Sequence, residues 1–262
     1  VSTYTLARYL DWLADEEEQG KRLGDRTIAN ATIPLRAALA TAKREGLIRH
    51  NPAQGLALPH REQIPEEEVK VFSRKQLVAV LGMAPERHRL FFELLAATGL
   101  RISEAVALQR LHFQLEDGEP EVCIRRGIVR GRIEPPKSKY GRREVRLPAP
   151  LVARLRAHLA ARHDQDSTAL AFFNETGGAL DPNNLRRRVL KPLVEEANAP
   201  WAGFHTFRHT FASLHLCQGT NLLQLSRALG HHSPAFTLTR YTHLLPGDEA
   251  PALDLQVGLG GR

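Results

Sequence analysis

The chain has 262 residues, 42% of them hydrophobic and 25% charged, an ordinary globular composition that excludes disorder and collagen-like repeats and suits two domains better than one. Two cysteines in unlike contexts, Cys123 and Cys217, exclude a disulfide framework and a cysteine-built zinc site. Lysine plus arginine outnumber aspartate plus glutamate by 36 to 29, and a net charge of +7 favours a polyanionic partner, either nucleic acid or an acidic membrane surface.

The predicted elements begin with a helix from Thr5, where Leu6, Tyr9, Leu10 and Leu13 recur at helical spacing. A polar break follows from Glu18 to Gly24. Ile28, Ile33, Leu35, Leu39 and Ala42 mark a second helix that ends near Gly46, and Asn51-Pro52 closes it. Pro59, Pro65 and the run Glu66-Glu67-Glu68 mark a change of composition. The expected division is a helical domain over 1–60, a linker over 61–72 and a second domain over 73–262. Ser73 is placed to cap a helix carrying Leu77, Val80 and Leu81. An apolar helix over His88 to Ala97 closes at Thr98-Gly99, and another begins near Arg101.

From Glu121 to Leu147 the pattern changes to short apolar runs with turn residues between them. Val122, Ile124, Ile128, Ile133, Val145 and Leu147 predict a small antiparallel sheet, with a turn bounded by Pro135, Pro136 and Gly141. Helices return over Leu151–Ala161, Asn184–Ala197, Thr206–Cys217 and Leu222–Leu229. The fold class is therefore mainly α with a small antiparallel β-sheet. Charges interrupt every apolar stretch, so no transmembrane span is expected. No leader with a basic start and an apolar core is visible, and the expected compartment is the cytoplasm.

Three segments carry chemistry. In Thr98-Gly99-Leu100-Arg101-Ile102-Ser103-Glu104, Arg101 stands where a helix begins. Free N–H groups there favour an anion, so Arg101 either joins an anion site or pairs with nearby Glu104. In His205-Thr206-Phe207-Arg208-His209-Thr210, His205 and Arg208 lie one turn apart on one helical face and can touch one phosphate. His209 is one step round and could face elsewhere. A zinc site on His205 and His209 lacks the glutamate that follows the first histidine in metalloprotease helices, and a third ligand is not obvious. In the third segment Gly230 ends a helix, His231 stands at the break, and Tyr241 follows beside His243. A tyrosine among histidines in a basic segment is either a nucleophile or an aromatic packing residue.

In this order, with a basic hairpin between the first two, these segments resemble the tyrosine recombinase (phage integrase) family. The resemblance spans nearly the whole chain. The opening helices and Asn51-Pro52-Ala53 are similar to that family's core-binding domain, and residues from about Phe72 onward to its catalytic domain. Thr206-Phe207 departs from the Asp-Leu more usual inside the His-x-x-Arg box, at positions that are not catalytic in the family. The resemblance implies a site-specific DNA recombinase needing neither metal nor ATP. Tyr241 would attack a DNA phosphate to form a 3′-phosphotyrosyl link. Arg101 and Arg208 would hold the non-bridging oxygens. His205 and His231 would add hydrogen bonds and proton transfer, with His205 the general base. A hairpin lysine would protonate the leaving 5′-oxygen, and Lys137 fits that role better than Lys139.

A binding-only relative could lose Tyr241 or an arginine, and this chain has kept them. A type IB topoisomerase shares the chemistry, but the two-domain length and the chain beyond Tyr241 favour a recombinase. The expected partner is double-stranded DNA, and the expected location is at the nucleoid. The chain is expected to be a monomer when free and a tetramer on paired sites. That assembly would be joined through the apolar Leu253, Leu255 and Val257 beyond Pro246-Gly247.

Overall fold

The computed structural model describes residues 1–15, 17–18, 21–57, 69–116, 118–136, 138–161 and 166–241. The chain divides into two compact units, Val1–Glu67 and Glu68–Arg262.

The first unit is two helices and a short ribbon. Helix α1 (Thr3–Asp15) buries Leu6, Leu10, Leu13 and Ala14, one stripe of a 3.6-residue period. Strands β1 (Glu17–Glu18) and β2 (Lys21–Arg22) pair antiparallel where the sequence predicts only a polar break. Helix α2 (Asp25–Arg44) has Asp25 in its first turn and Lys43 and Arg44 in its last, charges that complement the helix dipole at both ends. Leu10, Leu13, Ala14 and Ile28 form the core, with Leu23 and Leu56 against it.

The second unit opens with helix α3 (Arg74–Met83), whose predicted cap forms in full. Gln76 N donates to Ser73 Oγ at 3.2 Å, and Ser73 N donates to Gln76 Oε1 at 3.0 Å. Helix α4 (Glu86–Thr98) buries Leu90, Phe91, Phe92, Leu94, Leu95 and Thr98. It stops at Gly99 in the left-handed conformation (φ 61°), which glycine adopts without a Cβ penalty. One turn, α5 (Ile102–Ala105), follows Arg101.

Next come β3 (Phe113–Gln114), β4 (Glu121–Ile124), β5 (Gly127–Val129), β6 (Arg132–Glu134) and β7 (Arg143–Arg146). The predicted sheet is in fact two. Strands β3, β4 and β7 make a three-stranded antiparallel sheet in that order, and β5 pairs with β6 in a separate hairpin. Arg130 and Gly131 at its tip both have positive φ, the turn whose twist matches a two-residue hairpin. Arg125-Arg126 lie between β4, which pairs in the sheet, and β5, which pairs in the hairpin.

Helices α6 (Ala149–Ala160), α7 (Pro182–Leu185), α8 (Lys191–Glu196), α9 (Phe204–Cys217), α10 (Leu222–Leu229) and α11 (Pro234–Tyr241) complete the described chain. A five-residue π turn, Arg186–Leu190, joins α7 to α8. That turn is the local deviation in the helix expected over Asn184–Ala197.

The main core gathers Phe91, Phe92, Leu94, Leu95, Leu155 and Phe207. Phe92 stacks on Phe207 with ring centroids 5.8 Å apart, so α4 and α9 are packed side by side. Phe72, expected at the end of a linker, belongs to this core. It is 4% exposed, its ring meets Phe207 edge-on at 5.1 Å, and its N–H donates to Thr210 Oγ1 at 2.9 Å. Its ring finds its burial against Phe207 and Trp201, far along the chain, which local composition does not report. The rest of the expected linker, up to residue 68, lies outside the described residues.

Candidate active site

The packing of α4 on α9 sets the C-terminal ends of two helices against one arginine. Arg208 is 3% exposed. Its Nη1 donates to the Gly99 carbonyl at 2.8 Å, and its Nη2 donates to the Leu229 carbonyl. Those carbonyls sit at the C-terminal ends of α4 and α10, each followed or formed by a left-handed glycine, Gly99 (φ 61°) and Gly230 (φ 66°). Helix C-termini carry unpaired carbonyls and the negative dipole end, so the buried guanidinium satisfies both at once. Burial, then the charges of Arg101 and Arg143, pull its pKa down to about 9. It remains a cation at neutral pH.

Arg101 caps α5, and its expected pairing with Glu104 forms. Its backbone N–H donates to Glu104 Oε2 at 2.9 Å and its Nη1 to Glu104 Oε1 at 2.9 Å. Its side chain is still 38% exposed, free to meet an anion. Glu104 is held in turn by a residue that the sequence does not single out. Arg143, at the start of β7, is 6% exposed and grips Glu104 with both arms, Nη1 to Oε1 at 3.1 Å and Nη2 to Oε2 at 2.8 Å. Its Nε donates to the Ala228 carbonyl at 2.6 Å in the last turn of α10. Burial acts to raise the Glu104 pKa. The hydrogen bonds and charge of Arg143, with the charge of Arg101, outweigh it and bring the carboxyl to about 2. With 29 arginines in the chain, residue type alone cannot mark Arg143; only its position against Glu104 does.

The histidines stand around these cations. His205, on the first turn of α9, is exposed; partial burial and then the charges of Arg208, Arg101 and Arg240 lower its pKa. His231 is buried just past Gly230, with Nδ1 2.7 Å from Thr237 Oγ1. Burial, then Arg208, Arg101 and Arg143, bring it down to about 3. Tyr241 ends α11 at 1% exposure, packed with Phe211, Leu225 and Leu229. Burial raises the phenol's pKa while Arg208, Arg240 and Arg101 work against that rise. The partner of its hydroxyl is His209 Nδ1, at 2.8 Å. The sequence placed His209 on this helix but assigned it no role, because the residue that would meet it lies 32 positions away.

Arg101 and Arg208 therefore act electrostatically on His205, His231 and Tyr241 alike. Residues spread over 141 positions of sequence are thus close enough for their charges to interact. Lys137 lies outside the described residues. The backbone of Lys139 begins a 3-10 turn, Lys139–Gly141. A cavity of about 240 Å³ separates the Arg101 turn from this hairpin region, lined by Arg101, Glu104, Arg126, Pro135, Pro136 and Gly230. Three guanidiniums, Arg101, Arg143 and Arg208, face one carboxylate, Glu104. The histidines whose values fall to about 3 and 4, His231 and His209, are neutral at pH 7. With Arg240 also acting on His205, His209 and Tyr241, the site holds more positive than negative charge, suited to an anion that gains charge as it reacts.

Among the described residues, no helix is long and apolar enough to cross a membrane. A tyrosine recombinase XerC-like protein of Caldanaerobacter subterraneus subsp. tengcongensis is 27% identical over 283 residues, covering 97% of this chain and 70% of that protein. The tyrosine recombinase XerC of Vibrio cholerae is 30% identical over 237 residues, covering 89% of this chain and 72% of that protein. Among solved structures, the Tn1549 transposon integrase in complex with a circular intermediate DNA shares the fold with a TM-score of 0.74 at 21% identity, over 92% of this chain and 81% of that one. The XerH site-specific recombinase bound to its difH substrate does so at 0.66 and 20% identity, over 95% and 68%. With the phage integrase family model matching residues 70–247, the chain belongs to the phage integrase family and is a tyrosine-type site-specific DNA recombinase, an enzyme that breaks and rejoins DNA strands.

Proposed function

We propose that Tyr241 is the nucleophile of this recombinase and that Arg101, Lys137, His205, Arg208 and His231 complete the catalytic set. The observation that carries the assignment is the convergence of the Arg101 and Arg208 charges on the tyrosine and on both histidines. In the cleavage step Tyr241 Oη gives its proton to a histidine of the site and bonds to phosphorus as the P–O5′ bond breaks, leaving a 3′-phosphotyrosyl link and a 5′-hydroxyl. Arg101 and Arg208 bind the non-bridging oxygens, where the transition state gathers negative charge. His205 and His231 donate hydrogen bonds to the same phosphate and serve proton transfer. Lys137 gives its proton to the leaving 5′-oxygen. The bond energy stays in the protein–DNA link, so attack by another 5′-hydroxyl rejoins strands without ATP or a metal.

The first unit acts as the core-binding domain, and both units contact duplex DNA. Free protein is a monomer at the nucleoid, and tetramers form on paired sites through the chain beyond Gly247, a segment that lies outside the described residues. The similar fold of the Tn1549 transposon integrase, solved in complex with a circular intermediate DNA, supports DNA as the partner.

The test uses duplexes nicked beside the target phosphate, so that cleavage releases a short strand and traps the covalent complex. The native protein forms a complex that survives denaturation, and Tyr241→Phe binds the same duplex without forming it. A covalent adduct on Tyr241→Phe removes the assignment.

A further inference from the structure

We propose that His209 positions the Tyr241 hydroxyl and takes its proton as the phosphotyrosyl bond forms. The inference rests on Tyr241 being the nucleophile.

The geometry is direct. His209 Nδ1 lies 2.8 Å from Tyr241 Oη, and the two rings meet edge to face with centroids 5.7 Å apart. A buried phenol that keeps its proton needs an acceptor, and this ring nitrogen fills that need. Donation from Oη fixes the histidine tautomer, with the proton on Nε2 and the lone pair on Nδ1 facing the tyrosine. Among the described residues, His205 makes no hydrogen bond to Tyr241. It is exposed on the preceding turn of α9, its ring centroid 6.4 Å from that of His209. The two histidines therefore divide the work. His209, and not the His205 expected as general base, faces the nucleophile, and His205 is left to the exposed side of the helix.

Placement on α9 makes the arrangement mechanically sound. His209 follows Arg208 in sequence, and Arg208 is anchored to two helix ends. The group that binds the phosphate and the group that aims the nucleophile are thus one rigid unit.

The cationic surroundings add tuning. The groups that face His209 are Arg208 and His205 from its own helix and Arg240 and Tyr241 from α11. Burial first, then the charges of Arg240, His205 and Arg208, hold its pKa at about 4. A phosphate docked on Arg208 offsets part of that charge and raises the basicity of His209 when a base is required. In the step itself the Oη–P bond forms, the P–O5′ bond breaks, the phenol proton passes to His209 Nδ1, and the departing 5′-oxygen is protonated by the general acid.

The experiment measures single-turnover cleavage of nicked duplexes by the full chain, with half-site affinity and thermal stability alongside. His209→Phe keeps an aromatic ring and removes the acceptor. His209→Asn places Oδ1 near the position of Nδ1. We expect His209→Phe to bind the duplex as the native protein does and to cleave about 100-fold more slowly. His209→Asn recovers about tenfold of that loss by restoring the hydrogen bond. The native rate rises with pH along a limb that His209→Phe lacks. Cleavage by His209→Phe within about threefold of native, or faster than native, overturns the proposal. So does a loss that runs in parallel with stability and is not relieved by asparagine. Tyr241→Phe on the same duplexes tests the nucleophile separately, because an adduct there defeats the underlying reading whatever His209 does.

Discussion

Arg208, Glu104 and Arg143 show how one residue's chemistry depends on which group it is set against. Arg208 is buried against carbonyls and Arg143 against a carboxylate, and only Arg101 keeps part of its side chain open. Glu104 holds Arg101 and Arg143 together, so its removal leaves a buried cation unpaired. Glu104→Ala is expected to lower stability by about 3–5 kcal/mol, the cost of breaking a buried ion pair from one side, and to slow cleavage by loosening Arg101. Urea unfolding and covalent trapping check the two effects. The pH dependence has a defined sign. The Glu104 pKa falls from an ordinary 4.5 to about 2, so its stabilisation, on the order of 3 kcal/mol, is complete above pH 4.5 and lost as pH falls toward 2. His231 and His209 fall from 6.5 to about 3 and about 4. The unfolded chain takes up those protons first, so acid costs stability from pH 6.5 downward. The melting temperature is therefore expected to drop in two stages on acidification. In Glu104→Gln the stage below pH 4.5 is expected to shrink; if it stays intact, the carboxylate is not its source.

Helix ends are the elements that build this site. Two of them, α4 and α10, stop at glycines whose positive φ turns the last carbonyls toward Arg208 or Arg143. A Cβ at Gly99 would stand 2.6 Å from Phe211 Cδ1, and one at Gly230 would stand 2.9 Å from Arg143 Nη1 and 3.0 Å from the Tyr140 carbonyl. Gly219 has the same backbone conformation (φ 74°) with open space around it. Gly99→Ala is expected to cost about 2–4 kcal/mol, left-handed strain plus overpacking, and to depress cleavage. Gly219→Ala is expected to cost only the strain, about 1–2 kcal/mol, with cleavage untouched. Equal cleavage by the two variants would show that the helix ends do not position Arg208. The helices themselves were legible from apolar spacing: α10 was expected over Leu222–Leu229 and is found there. The division of the strands into a sheet and a hairpin was not legible, since alternation fixes which face is buried but not which strands pair.

At the scale of the molecule, a net charge of +7 acts on DNA through phosphate contacts that release counterions. Half-site affinity is expected to fall by at least about 100-fold between roughly 50 and 200 mM salt, with log affinity linear in log salt. Arg101→Ala should reduce the slope by about 1, the contribution of one phosphate contact. A flat salt dependence, measured by fluorescence anisotropy, would contradict binding through the phosphate backbone. Removal of the chain from Gly247 onward should spare binding to one half-site and impair synapsis and strand exchange, and full recombination by the truncated protein would sink the proposed assembly.

By itself the sequence determined the helical class, the cap at Ser73, the glycine stops at Gly99 and Gly230, and the order of boxes that places Arg101, His205, Arg208, His231 and Tyr241 in one family. Each of these is local, set by spacing along a helix or by a backbone conformation that only certain residues tolerate. The tertiary structure decided what those residues touch. Phe72 became core because Phe207 was there to receive it. Arg143 became part of the site because β7 lies beside Glu104 and the end of α10. His209, one step round the helix from Arg208, met Tyr241 because α11 packs back toward α9. Hydrogen bonds and burial depend on distance in space, and a chain that brings positions 101 and 241 together does so through its whole core, which no local pattern records.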